Sequence, residues 1–360
     1  MRVAWIEARD FRNHREVSLE VGPGLTAVVG PNARGKTNLL EAIHYLLALE
    51  SPRVNADLPL VRQGAASAFL RGEVTAGGGR YLIEVEVRAN GANRVQVNRS
   101  PVRRKRDLRR NVRSVFAGPE DLGMVLGDPG ERRRFMDDAV RTLWPARDGL
   151  ASAYERVVRQ RNRLLKDWSG EGEPSGLSGW DAELVARGAE LTRARAMAVD
   201  AMGERAGELF GILTGDEEGL EVGYLPSVDG EPLEKAFERR LAERRDDELI
   251  RRTSLVGPHR DDLNLEVRGL GARGFASHGE AWGTAVCLRM ALASAVAEEI
   301  GEDPVTLLDD PFSGLDPGRR SRLAAGLSGR GQVLIAVPDE AHVPLGAIVW
   351  CAEEAGVVRR

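Results

Sequence analysis

The chain has 360 residues, 42% of them hydrophobic, and a net charge of −4. That is enough apolar material for a sizeable core, yet no apolar run approaches the roughly 20 residues of a membrane-spanning helix. The 2 cysteines, Cys287 and Cys351, lie in apolar stretches and the N-terminus turns acidic early, so no disulfide framework, zinc site or signal peptide is expected, and a cytoplasmic protein without a membrane partner is.

The chain opens with strands. Residues 3–8 and 17–21 alternate, and Gly22-Pro23-Gly24 turns the chain into a buried strand over 25–29. Apolar residues at helical spacing then predict a helix over 38–47. Strands follow over 69–74 and 81–87, with Gly77-Gly78-Gly79 between them. Helices are predicted over 131–143, 154–166, 180–213 and 232–252, with a Gly/Ser/Pro-rich loop over 169–179. Gly188 falls on the apolar face of the third helix and would permit close packing. A strand over 263–267, a helix over 281–299, a strand over 305–309, a helix over 319–327 and a strand over 332–337 complete the chain. The fold class is α/β, with a sheet unit split around a helical insert: 1–115, 116–254 and 255–360. The helices are too short and too irregular in heptad phase for a long coiled coil.

Gly30-Pro31-Asn32-Ala33-Arg34-Gly35-Lys36-Thr37 matches G-x-x-x-x-G-K-[ST], with a buried strand before it and a helix after it. The glycines let backbone amides point inward, Lys36 places a charge on the β- and γ-phosphates, and the Thr37 hydroxyl is a Mg²⁺ ligand. ATP is the expected ligand, bound by residues 30–38 including Asn38. The metal side also needs a carboxylate at a strand tip. Val305-Thr306-Leu307-Leu308-Asp309-Asp310 offers Asp309 for Mg²⁺ and Asp310 to polarise the attacking water.

In this order, Ser277-His278-Gly279-Glu280 and Ser313-Gly314-Leu315-Asp316 resemble the signature and D-loop segments of ABC-type ATPases. The chain resembles the RecF family of recombination-repair ATPases, relatives of SMC heads, through Phe11-Arg12-Asn13-His14, Pro119-Glu120-Asp121-Leu122, Arg133-Arg134-Phe135-Met136-Asp137, the stretch 159–166 and Gly257-Pro258-His259-Arg260-Asp261-Asp262-Leu263. The resemblance implies an ABC-type P-loop head with an SMC-like lobe I and an inserted, mainly helical lobe II. It implies an ATP-dependent homodimer in which Ser277 and Gly279 complete the partner's site. Arg12 matches a residue near the nucleotide, or is a surface arginine. Glu120 stands at the Q-loop position, as a metal- or water-side group or as a helix-terminal carboxylate. The catalytic candidates are therefore Lys36, Asp309, Asp310, Ser277 and Glu120. His278 replaces the usual glutamine, Asp310 is shorter than the usual glutamate, and Ala336-Val337 occupies the switch position, with His342 read as a loop residue. Slow hydrolysis is the expectation.

The resemblance also implies binding to duplex, gapped or junction DNA, with RecR and RecO as partners. Phosphate neutralisation needs lysine and arginine, and no base-reading module is visible. The first candidate surface is Arg103, Arg104, Lys105, Arg106, Arg109, Arg110 and Arg113; the second is Arg156–Lys166, whose Arg161 and Asn162 are alternatively structural. An SMC-type tether would need a long heptad insert. A transporter nucleotide-binding subunit would carry glutamate and histidine where Asp310 and Ala336 stand.

Overall fold

Strand residues of the central sheet alternate between two cores. Val28, Leu307 and Leu334 face one way, and Ala27, Leu308 and Ile335 the other, all fully buried. In this computed structural model, which describes residues 1–170, 172–215, 219–353 and 356–359, that sheet has the order β15-β14-β3-β13-β12-β8. Its strands are β3 (Leu25–Val29), β8 (Ser114–Ala117), β12 (Val305–Asp309), β13 (Val333–Val337), β14 (Ile348–Glu353) and β15 (Gly356–Arg359), parallel except for β15. Burial on both faces explains why β3, β12 and β13 read as continuous apolar runs.

One face carries helix α1 (Lys36–Ala48) and an antiparallel sheet of order β2-β1-β4-β5-β6-β7. These strands are β1 (Arg2–Phe11), β2 (His14–Glu20), β4 (Ser67–Ala76), β5 (Gly79–Arg88), β6 (Arg94–Val97) and β7 (Ser100–Pro101), followed by α2 (Lys105–Arg109). The other face carries α3 (Leu122–Leu126), α4 (Pro129–Leu143) and α10 (His278–Ile300), with α11 (Pro317–Leu327) beside them.

The insert is built on α5 (Leu150–Asp167) and α6 (Leu177–Thr214). At 38 residues, α6 runs about 57 Å, at about 1.5 Å per residue, and contributes to both the main core and a small core at the far tip. There α7 (Leu233–Glu243) packs Phe237 on Gly188, where an added Cβ would come within 3.0 Å of the ring, so the close packing expected of Gly188 is present. The single helix expected over 232–252 is instead α7 and α8 (Arg245–Arg251), with a break at Arg244. The break turns Glu248 inward to meet the buried Arg161.

The lobe boundaries also shift. Position 115/116 falls inside β8, which pairs with β12, so lobe I extends through Ala117. Past 254, β10 (Asp262–Val267) pairs with β9 (Leu220–Leu225) and with β11 (Leu270–Gly271), so the insert reclaims this segment. The short α9 (Ala272–Phe275) then leads into α10. The acidic Asp216–Glu218 lie outside the described residues. Among the described residues no helix is long and apolar enough to cross a membrane.

Candidate nucleotide-binding site

Gly35 caps α1 in the left-handed region (φ 86) and has no side chain to cap it, and among the described residues no side-chain hydrogen bond reaches the amides of Lys36, Thr37 or Asn38. Those amides are therefore open to an anion at the positive end of the helix. A Cβ at 35 would sit 2.7 Å from both Asn13 and His14, and His14 Nε2 meets the Gly35 carbonyl at 3.0 Å. The β1–β2 turn thus buttresses the phosphate loop, which places the Phe11–His14 motif beside it. Lys36 is buried, and its Nζ donates to the carbonyls of Gly30 (2.7 Å) and Pro31 (3.0 Å). Burial lowers its pKa, against the pull of Asp309 and Asp310.

Asp309 ends β12, and its Oδ1 accepts from Thr37 Oγ1 at 3.0 Å. Burial raises its pKa to about 6; the Thr37 bond opposes this, and the charges of Glu120 and Asp310 add to it. Asp310 follows in the left-handed region (φ 48), its amide bonded to the Ala336 carbonyl at 2.9 Å. Burial raises its pKa too, while His342, Ser313, Lys36 and Arg320 pull the other way.

Glu120 is half exposed and accepts from Arg53 Nε at 2.9 Å. Arg53 also reaches Asn38 Oδ1 (3.0 Å) and, at 3.5 Å, Glu41. Glu41 is fully buried on α1 and accepts a two-pronged pair from Arg12, at 2.6 and 2.8 Å, and a bond from the Ser51 hydroxyl. Arg12 is accordingly held by a carboxylate rather than loose on the surface. Arg53 was not singled out by sequence reasoning. It lies in an irregular segment with no motif, and only its closeness to Glu120 and Asp309 marks it.

Ser277 is the exposed N-cap of α10. Its hydroxyl accepts from the Glu280 amide, while Glu280 Oε2 accepts from the Ser277 amide at 2.8 Å. An added Cβ on Gly279 would lie 2.8 Å from the Gly314 carbonyl, and Trp282 Nε1 donates to the Pro311 carbonyl at 3.0 Å. Within one chain, then, the signature segment packs on the D-loop, and among the described residues no hydrogen bond joins it to residues 30–38. His342 sits in a one-turn helix over Glu340–His342. Its Nε2 accepts from Arg320 at 2.8 Å and its Nδ1 meets Asp339 at 2.7 Å. Arg320 also donates to the Leu315 carbonyl in the D-loop. His342 is therefore anchored, and near enough to Asp310 to act on its charge.

The basic runs separate clearly. Arg109 and Arg113 are buried, which removes them from any phosphate-binding surface. Arg109 donates to the Ala48 carbonyl and pairs with Glu50 and Asp148; Arg113 donates to the Thr142 carbonyl. Arg106 is half-buried, whereas Arg103, Arg104, Lys105 and Arg110 are exposed. In the second run Arg161 is fully buried against Glu248, Asp181 and Ser254, and Asn162 accepts from the Ser254 amide. Arg159 and Arg163 pair with Glu155 and Asp167.

Two of the motifs that carry the family likeness brace the lobes. Asp121 receives Arg289 from α10 at 2.7 Å, tying the Pro119–Leu122 segment to that helix. Asp261 accepts from the Tyr224 hydroxyl and the Ser227 amide, Asp262 pairs with Arg132 at 2.6 Å, and His259 accepts from the Tyr154 hydroxyl at 2.7 Å.

A phosphate loop on a mainly parallel sheet, a strand-tip aspartate and a D-loop packed on a signature helix, around a folded-back helical insert, define an ABC-type ATPase head of the SMC kind. Residues 2–343 match the family model described as RecF/RecN/SMC N terminal domain. The chain is 41% identical to the DNA replication and repair protein RecF of Kineococcus radiotolerans, covering 96% of this chain and 95% of the relative, and 41% identical to RecF of Streptomyces avermitilis over the full length of both. The solved structure of recombination mediator protein RecF with ATPrS, from the RecFOR pathway, superposes with a TM-score of 0.88 at 26% identity, covering 99% of this chain and 98% of that one. The Smc head domain of Pyrococcus furiosus shares the fold alone, at a TM-score of 0.56 and 16% identity over 99% of this chain and 96% of that one. The chain belongs to the RecF family of DNA replication and repair proteins.

Proposed function

We propose that the chain binds ATP with Mg²⁺ at residues 30–38, closes on a second copy around two nucleotides, hydrolyses ATP slowly and engages DNA in the ATP-bound dimer. The observation that carries this reading is the open set of α1 amides beside Lys36, Thr37 and Asp309. In the nucleotide-bound state Lys36 exchanges its two carbonyl partners for the β- and γ-phosphates. The Thr37 hydroxyl and Asp309 Oδ1, 3.0 Å apart, are hard oxygen donors of the kind that hold Mg²⁺ together with phosphates and water. The ion supplies charge neutralisation on the phosphates. Asp310 orients the attacking water, and Glu120, released from Arg53, adds a second carboxylate on that side. Ser277 and the Gly279 amide of the second copy close the γ-phosphate. Slow turnover is supported by the short reach of Asp310 and by Ala336, whose side chain offers no hydrogen bond at the switch position.

DNA engagement uses the exposed part of the first basic run, Arg103, Arg104, Lys105 and Arg110. The RecFOR setting of the related structures supports RecR and RecO as partners in loading recombinase at gapped or junction DNA, in the cytoplasm. The insert, folded against its own chain rather than extended, supports this over a tether.

The test is binding to gapped duplex with ATP or ADP, with and without RecR, for the wild type, Lys36→Arg and Ser277→Arg. ATP-specific dimers that bind DNA, lost in both variants, are expected. Normal ATP-driven dimerisation by Ser277→Arg would remove the shared-site reading.

A further inference from the structure

The turn between β6 and β7 is two residues long, with Val97 opposite Ser100. Asn98 (φ 50) and Arg99 (φ 67) are both left-handed, the geometry of a type I′ turn. Asn98 suits it, and its side chain is pinned: Oδ1 accepts from the Leu82 amide at 2.8 Å and Nδ2 donates to the Arg80 carbonyl. The second turn position favours glycine, yet arginine stands there. A local rule broken at an exposed turn points to a use for the side chain.

The surroundings supply that use. Arg80, Arg99, Arg103, Arg104, Lys105 and Arg110 are all exposed, and among the described residues no ion pair or side-chain hydrogen bond occupies any of them. Asp107 is the only acidic residue between Arg88 and Arg113, in a chain whose net charge is −4. By contrast, Arg159 and Arg163 on α5 are spent on neighbouring carboxylates. From Arg99 the chain runs extended to Arg103 for about 13 Å, and α2 adds about 7 Å. End to end the two pieces span at most about 20 Å, the axial length of roughly six base pairs. No Phe, Tyr or Trp lies between Tyr81 and Phe116. A single-strand groove needs aromatic faces for the bases to stack on, and the segment from Arg99 to Arg110 supplies none of its own.

We infer that the β6–β7 turn and α2 form one phosphate-tracking strip for duplex DNA, with Arg99 as its leading contact. This rests on the DNA-binding reading above and narrows its ligand to the duplex backbone.

The test measures binding of a 40-base-pair duplex and of oligo-dT, with ATP, across a salt series. The proteins are the wild type, Arg99→Gly and the triple variant Arg103→Gln, Arg104→Gln, Lys105→Gln. Arg99→Gly restores the residue the turn favours, so its melting temperature should hold or rise while duplex affinity falls. The salt slope should flatten by about one unit for Arg99→Gly and by about three for the triple variant, at roughly 0.9 per phosphate lost. Both variants should still dimerise with ATP. A wild type that binds duplex while both variants keep its slope would overturn the strip. Tighter binding of oligo-dT than of duplex, lost in the variants, would overturn the duplex assignment. A wild type that binds no DNA in any nucleotide state would instead bring down the DNA-binding reading itself.

Discussion

Glu41 shows what a single residue does here that its sequence position conceals. It reads as a polar break in an apolar helix, yet it is fully buried and joins Arg12, Arg53 and Ser51. Removing it leaves the Arg12 guanidinium without its carboxylate, while Arg53 keeps Glu120 and loses only a 3.5 Å approach. Breaking a buried pair costs about 3–5 kcal/mol, and the partial exposure of Arg12 reduces this to about 2 kcal/mol. Urea unfolding of Glu41→Ala should show that loss, and the variant should also bind ATP more weakly because Arg12, next to the Asn13 and His14 that buttress the phosphate loop, loses its anchor. Thr37 is a separate case: its hydroxyl sits 3.0 Å from Asp309 and was legible from the motif. Thr37→Ser should keep Mg²⁺-dependent ATP binding, and Thr37→Ala should lose most of it in a titration with and without Mg²⁺. Arg53 was illegible because the loop holding it has no periodicity, and only folding brings it to Glu120. His342 is visible but reads as a loop residue, because it lies beyond the end of β13 and only its bonds to Arg320 and Asp339 tie it to the site.

At the scale of elements, legibility follows burial and length. The buried strands β3, β12 and β13 and the long helices α4, α5, α6 and α10 announce themselves by apolar runs or 3.6-residue spacing. The short pieces β6, β7, α2, β9 and β14 do not, because each is held by neighbours rather than by a pattern of its own. The break between α7 and α8 is likewise tertiary, set by the Glu248–Arg161 pair. The glycines of α6 turn this into a prediction. An alanine Cβ at Gly207 would lie 2.8 Å from the Leu220 carbonyl oxygen of β9, a backbone atom that cannot swing away, whereas one at Gly179 would meet nothing within 4 Å. Helix propensity alone favours alanine by about 1 kcal/mol at either site. Overpacking costs about 1–3 kcal/mol. Thermal unfolding should therefore show Gly179→Ala slightly stabilised and Gly207→Ala not stabilised but destabilised by up to about 2 kcal/mol.

For the whole molecule, acid is expected to loosen both lobes. His44 in lobe I and His259 in lobe II are each lowered to about 4, in both cases chiefly by burial. An unfolded histidine titrates near 6.5. Between pH 6.5 and 4 the unfolded chain therefore binds protons that the folded chain refuses, and stability falls as pH drops through that window. By pH 5 the loss should reach about 2 kcal/mol per histidine, and His44→Gln and His259→Gln should each flatten the urea-unfolding profile by that amount. Nucleotide acts in the opposite sense and through two copies. A ligand that binds only the folded state stabilises it by mass action, and a ligand that also joins two folded chains makes the gain depend on protein concentration. Lys36, Thr37 and Asp309 all lie in one chain, so Mg²⁺-ATP should raise the melting temperature even at low protein concentration. The signature segment packs through Gly279 on the D-loop of its own chain, and among the described residues Ser277 makes no hydrogen bond to its own phosphate loop, so its contribution requires a second copy. The wild type should thus melt higher in ATP as its concentration rises, and Ser277→Arg should keep only the concentration-independent part. A concentration-dependent gain that survives in Ser277→Arg would mean that dimer closure runs through a different surface.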